Sequence, residues 1–132
     1  MAVELFSQEW CEQAKDVWAD VVVPNLVDPD NYNYVVEFRA VDIDGAVCQL
    51  KATKGVVEDW FTGKKYSDEE ATFLIDATKD IWHKVADGKL DPVGAVASKR
   101  VHLRKGPMPV VIKESKAFTG LLESFGRIPT EW

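Results

Sequence analysis

No uninterrupted apolar run in this 132-residue chain approaches the length needed to cross a bilayer. The first residues, M-A-V-E-L-F-S-Q-E-W-C-E, lack the basic start and apolar middle of a secretory signal, so the expected compartment is the cytoplasm. Cysteine is scarce. Cys11 and Cys48 form neither a C-x-x-C pair nor a secreted framework and are read as buried thiols. His83 and His102 stand on different elements, without a neighbouring Cys or an H-x-x-x-H partner, so no metal site is expected. Asp42-Ile43-Asp44-Gly45 begins like a calcium loop, but the last ligand position falls on Lys51 instead of Glu. Thr62-Gly63-Lys64 lacks the upstream glycine of a phosphate loop, and Gly94 belongs to no G-x-G-x-x-G. No G-x-S-x-G elbow surrounds any serine. These absences leave no expected cofactor and no catalytic constellation. A net charge of −6 disfavours nucleic acid as a partner.

What the chain does have is apolar material: 46% of residues, with six Phe, five Trp and three Tyr. That is enough for one globular domain spanning residues 1–132, with no repeat or linker to divide it. From Val3 to Val23, Phe6, Trp10, Val17, Trp18, Val21 and Val22 recur at helical spacing, and Pro24 stops the run. The period then falls to two. Tyr32, Tyr34, Val36, Phe38 and Ala40 share one side of a half-buried strand. Asp44-Gly45 predicts a type I′ hairpin, with return strands over Ala46–Lys51 and Val56–Phe61 and a turn at Lys54-Gly55. A polar loop, Gly63–Glu70, leads to a fourth strand over Ala71–Ala77.

Thr78 fits an N-cap before a short helix carrying Ile81, Trp82 and Val85. The corner D-G-K-L-D-P follows. Gly88 suits the left-handed end of that helix, and Asp91-Pro92 suits the cap and first position of the next, about Pro92 to Ser98. Arg100–Lys105 alternates as a fifth strand, and Gly106-Pro107-Met108-Pro109 breaks it. A last helix from about Lys113 carries Phe118, Leu121, Leu122 and Phe125, with Gly126 as its cap. The expected class is α+β: five mainly antiparallel strands with helices on one face.

Two polar features bear on chemistry. Asp76, inside an apolar strand, would be a base of raised pKa in an apolar pocket, or would face solvent between Ile75 and Ala77. The period-2 pattern favours solvent. Residues 99–105, K-R-V-H-L-R-K, hold four of the sixteen Lys and Arg; without those four charges the net −6 becomes −10. That stretch reads as the wet face of an edge strand, or as an attractor of anionic head groups, a coenzyme phosphate or a membrane surface.

The corner, the basic strand closing on Gly106, and the element order from Tyr34 to about Phe125 together resemble the sterol carrier protein type 2 family. The resemblance implies helices packed on a five-stranded sheet around an apolar tunnel that holds a fatty acid, fatty acyl-CoA or sterol-like lipid without bond chemistry. It implies a tunnel lined by Phe73, Trp82, Val96, Met108, Phe118, Leu121, Leu122 and Phe125, with Arg100, His102 and Arg104 near an acidic head group at the mouth. Three departures stand out: Lys99 replaces the family's usual Gly, Val96-Ala97 replace bulkier Phe or Met residues, and Pro107–Val111 is more elaborate than the usual short connection. The alternatives to lipid transfer are a non-catalytic scaffold with a filled core acting with a partner enzyme, and a proton-transfer enzyme using Asp76.

Overall fold

A computed structural model describes residues 2–132, and its beginning differs from the expected long helix. Val3–Glu4 (β1) pairs in parallel with Thr130–Glu131 (β7). Phe6 then turns the chain at φ +60°, and Ser7 accepts the Trp10 amide to start helix α1, Gln8–Val17. The pairing partner of β1 lies at the other end of the sequence, so no local pattern announces it. Beyond Val17 the helix widens to a π turn over Trp18–Val22, where the Val23 amide reaches back to the Trp18 carbonyl. It tightens to a 3₁₀ turn at Val23–Asn25 around Pro24, whose ring cannot donate to a helix.

The main sheet contains β2 (Tyr34–Ala40), β3 (Val47–Thr53), β4 (Val56–Thr62), β5 (Phe73–Ala77) and β6 (His102–Lys105). Its order is β4-β3-β2-β5-β6, antiparallel except for the central β2–β5 pair. The α+β class and its mainly antiparallel sheet are as the sequence indicates. The hairpin chemistry is not. At Asp44-Gly45 only Gly45 has positive φ, within a longer connection, so the turn is not type I′. The tight two-residue turn is Lys54-Gly55, with φ of +50° and +82°.

The D-G-K-L-D-P corner forms as its residues dictate. Thr78 accepts the Ile81 amide at the start of α2, Lys79–Ala86. Gly88 takes φ +73°, while the Lys89 amide closes on the Lys84 carbonyl at 2.9 Å. Asp91 then accepts the Gly94 amide at 3.0 Å, opening α3, Pro92–Ala97, with Leu90 packed against the core between the helices. Lys99 follows α3 at φ +62°. A Cβ there costs about 1 kcal/mol, partly offset by the greater freedom of unfolded Gly. Lys99→Gly is therefore expected to stabilise the protein by roughly 0.5 kcal/mol, read as a raised urea midpoint at unchanged slope.

The final helical region is two helices, α4 (Met108–Lys113) and α5 (Ser115–Glu123), joined at Glu114. Pro109 does not prevent α4 because it occupies the first turn, where no intrahelical amide bond is required. Gly126 does not end α5 as expected. It lies in a 3₁₀ turn, Ser124–Arg127, where a Cβ would come within 2.3 Å of the Ala86 carbonyl oxygen, so close backbone approach requires glycine. The core between helices and sheet is an edge-to-face aromatic cluster. Phe6–Trp10, Trp10–Phe125 and Phe6–Trp82 have ring centroids 5.0, 5.2 and 5.7 Å apart.

Candidate functional site

Beside that core, a second region between sheet and helices remains unfilled. Alternation along the strands turns Val36, Phe38, Phe73, Ile75 and Leu103 toward it. The π turn brings Trp18 and Val22 to a second wall, and Leu26 and Tyr32 continue that wall through the following turn. Helices α4 and α5 close the opposite side with Val110, Val111, Ala117, Phe118 and Leu121. The cavity amounts to about 50 Å³, counted as space for the centre of a water molecule. That is room for a few waters and well short of the roughly 300 Å³ at which drug-sized ligand pockets begin. The structure thus shows a small apolar pocket where a tunnel was expected.

Its one charged lining residue is Glu114, at the junction of α4 and α5. Glu114 is buried, and its two oxygens accept the Val27 amide at 2.7 Å and the Asp28 amide at 3.2 Å. These bonds fasten the helical wall to the turn that follows α1. Lys113 adds an ion pair to Asp28 at 3.2 Å, and the Asn31 amide, followed by Lys113, holds the Asp28 carboxyl below its usual range.

A crystal structure of sterol carrier protein 2 matches 95% of this chain and 99% of its own, with a TM-score of 0.77 and 16% identity. The chain has the sterol carrier protein 2 fold. A conserved hypothetical protein from Thermus thermophilus, described as possibly a sterol carrier protein, gives a TM-score of 0.72 at 17% identity over 98% of this chain and 93% of its own. A double mutant of the sec-alkyl sulfatase PisA1 matches 89% of this chain with 16% of its own, at a TM-score of 0.50 and 18% identity. No family model and no curated protein matches the sequence.

Within this sterol carrier protein 2 fold, the residues expected to line a tunnel separate into distinct environments. Phe73, Phe118 and Leu121 line the pocket. Trp82, Leu122 and Phe125 are instead core residues outside it: the Trp82 indole donates to the Arg39 carbonyl at 3.0 Å, and its ring packs near Phe38 and Phe125. Val96 is half-buried on α3, and Met108 is exposed at the start of α4. Helical spacing identifies an apolar face but cannot say whether another element fills the space opposite it. The sequence reading missed Trp18 and Val22 as pocket walls, although their i, i+4 spacing marks one face. It also missed Val110 and Val111, which lie in the stretch read as the connection before the last helix.

The expected head-group cations lie elsewhere too. Leu103 points to the pocket, so its neighbours His102 and Arg104 point to the opposite sheet face. There they meet Asp76, at 3.9 Å from His102 Nδ1 and 3.3 Å from Arg104 Nε, while Arg100 is exposed before the strand. Asp76 is on the face expected from its periodicity but is only 8% exposed, so neighbouring side chains cover it where solvent was expected. Among the described residues its close partners are the cations His102 and Arg104. The same face buries Glu37, which accepts from Gln49 Nε2 at 3.0 Å and pairs with Lys64 at 3.3 Å. Gln49 accepts both the Lys65 and Tyr66 amides and donates to the Tyr66 carbonyl, fastening the β4–β5 loop over the sheet.

Burial, reinforced by Glu114 and Tyr34, pushes the Tyr32 phenol well above its ordinary value. Burial likewise raises the Cys48 thiol. Both groups therefore keep protons in the folded protein that the unfolded chain releases above about pH 9–10, so stability falls as pH rises through that range. The slope contributed by Tyr32 is about 1.4 kcal/mol per pH unit above pH 10. Tyr32→Phe is expected to flatten alkaline denaturation by that amount, measured as urea-unfolding free energy against pH.

Proposed function

We propose that this protein binds a lipid-class ligand without covalent chemistry, in the pocket between the sheet and α4–α5. The observation that carries this reading is an almost wholly apolar lining, enclosed by the fold that sterol carrier protein 2 also adopts. The strongest polar groupings, around Glu37 and Asp76, lie across the sheet from the pocket, which favours binding over catalysis. Fatty acids, fatty acyl-CoA and sterol-like molecules are the ligand classes to test, each methylene contributing about 0.8 kcal/mol when buried. Phe73, Phe118 and Leu121 are the pocket residues carried forward from the sequence reading. Because the pocket is small, uptake of an acyl chain requires α4 and α5 to move outward, with Phe118 as the half-buried residue at the wall that moves.

A pair of variants with opposite signs tests this. Phe118→Ala enlarges the pocket and is expected to strengthen binding of a fluorescent fatty-acyl probe. Ala117→Phe fills it and is expected to abolish saturable, competable binding. The pocket's small volume also favours a second reading, a non-catalytic scaffold whose interior stays closed and which acts with a partner enzyme. On that reading none of the three proteins binds the probe up to mid-micromolar concentration, and light scattering or pull-down reports a protein complex.

A further inference from the structure

Two polar groups interrupt the apolar lining of the pocket, and both are covered: Glu114 is 5% exposed and Tyr32 9% exposed. The other lining side chains are hydrocarbon, except that Trp18 carries an indole donor already bound to the Gly55 carbonyl at 2.8 Å. No Lys, Arg or His lines the cavity.

The turn after α1 brings the two groups near one another. Its Val27 and Asp28 amides hold the Glu114 carboxylate, and Tyr32 closes the next few residues with its own amide on the Pro29 carbonyl at 3.0 Å. The Glu114 charge is among the causes that keep the Tyr32 phenol protonated. Each Glu114 oxygen accepts one amide and keeps a further lone pair. The Tyr32 hydroxyl has no hydrogen-bond partner among the described residues. A covered phenol ordinarily finds a partner, because an unmade bond there costs stability.

Together the pair specifies the polar end of a ligand. That end must carry an oxygen to accept from Tyr32 and a hydrogen to donate to Glu114. A hydroxyl does both with one atom. An ester accepts but donates nothing, and a protonated amine donates but accepts nothing. An ionised carboxylate is also an acceptor only. It would bring a second negative charge into an apolar space beside Glu114, with no lining cation to offset it.

We propose that Tyr32 and Glu114 select the head group of the cargo, admitting an aliphatic alcohol and rejecting the fatty acid of equal chain length. This rests on the lipid-binding reading and narrows it to one chemical class. A water molecule can bridge the same two groups; an alcohol repeats its bonds and adds a chain that meets the hydrocarbon lining.

The test is isothermal titration of the full chain at neutral pH with decanol, decanoate and methyl decanoate. The wild type is expected to bind decanol about tenfold more tightly than decanoate, a difference of about 1.4 kcal/mol, and more tightly than the ester. Tyr32→Phe removes only the hydroxyl and should weaken decanol about fivefold, the equivalent of one hydrogen bond. Glu114→Gln removes the charge and should strengthen decanoate about tenfold, erasing the preference. If Glu114→Gln does not fold, because Val27 or Asp28 loses its acceptor, the wild-type preference and Tyr32→Phe decide the matter. Ala117→Phe, which fills the pocket, should bind none of the three compounds. Decanoate bound as tightly as decanol by the wild type, or decanol affinity indifferent to Tyr32→Phe, overturns head-group selection and leaves the lipid-binding reading standing. Decanol binding retained by Ala117→Phe overturns the assignment to this pocket. Absence of binding by all three compounds overturns head-group selection and the lipid-binding reading together.

Discussion

Trp82→Ala is expected to destabilise the protein by about 3–5 kcal/mol, a large part of the stability of a small domain. Trp82 is buried at the meeting of α2 with β2, with its ring 5.7 Å from Phe6 and 6.1 Å from Phe38. Removing the indole leaves a cavity among rigid rings and also removes the donor to the Arg39 carbonyl. Trp82→Phe preserves part of the packing and loses the hydrogen bond, for an expected cost of about 1–3 kcal/mol. Urea denaturation measures both. Probe affinity of the folded Trp82→Phe protein should equal that of the wild type, because Trp82 is outside the pocket. A selective loss of affinity at undiminished stability would restore Trp82 to the ligand wall.

Glu37→Ala is expected to cost about 1–3 kcal/mol, because the cations it leaves, Lys64 and Arg39, both reach water and Lys64 keeps Asp68 as a partner. Glu37 is fully covered, whereas Lys64 is 32% exposed at its side chain, so water compensates part of the loss on that side. Loss of Glu37 also deprives Gln49 Nε2 of one of its two acceptors. The loop over the sheet should loosen first. Trypsin cleavage after Lys64 or Lys65 and faster amide exchange across residues 63–72 would report this before global unfolding. Because Glu37 and the pocket lie on opposite sheet faces, probe binding by the folded variant should be unchanged. A selective loss of binding would connect the two faces.

Fold and site differ in how far their residues announce them. Period-2 alternation from Tyr34 to Ala40 identifies the central strand and the side facing the helices, so Val36 and Phe38 are legible as inward residues. Thr78, Gly88, Asp91 and Pro92 identify two helix boundaries because caps and left-handed ends depend on backbone chemistry within a few residues. Pro107 and Pro109 misled for an equally local reason: proline ends a helix from its interior but is accepted in its first turn, and composition does not establish the register.

The sequence by itself determined the helix corner, the alternating strands, the α+β class and a chain rich enough in aromatics to build a core. Those depend on dihedral preference and side-chain period, which act between near neighbours. Only the tertiary structure decided that Trp82, Leu122 and Phe125 fill the core while Phe73, Phe118 and Leu121 border a pocket. It also placed His102 and Arg104 across the sheet from that pocket and joined Glu114 to Val27 and Asp28. Each of these depends on which elements meet across long stretches of chain. Burial is a property of the space left between packed elements, and an apolar side chain has the same sequence signature whether that space is filled or empty.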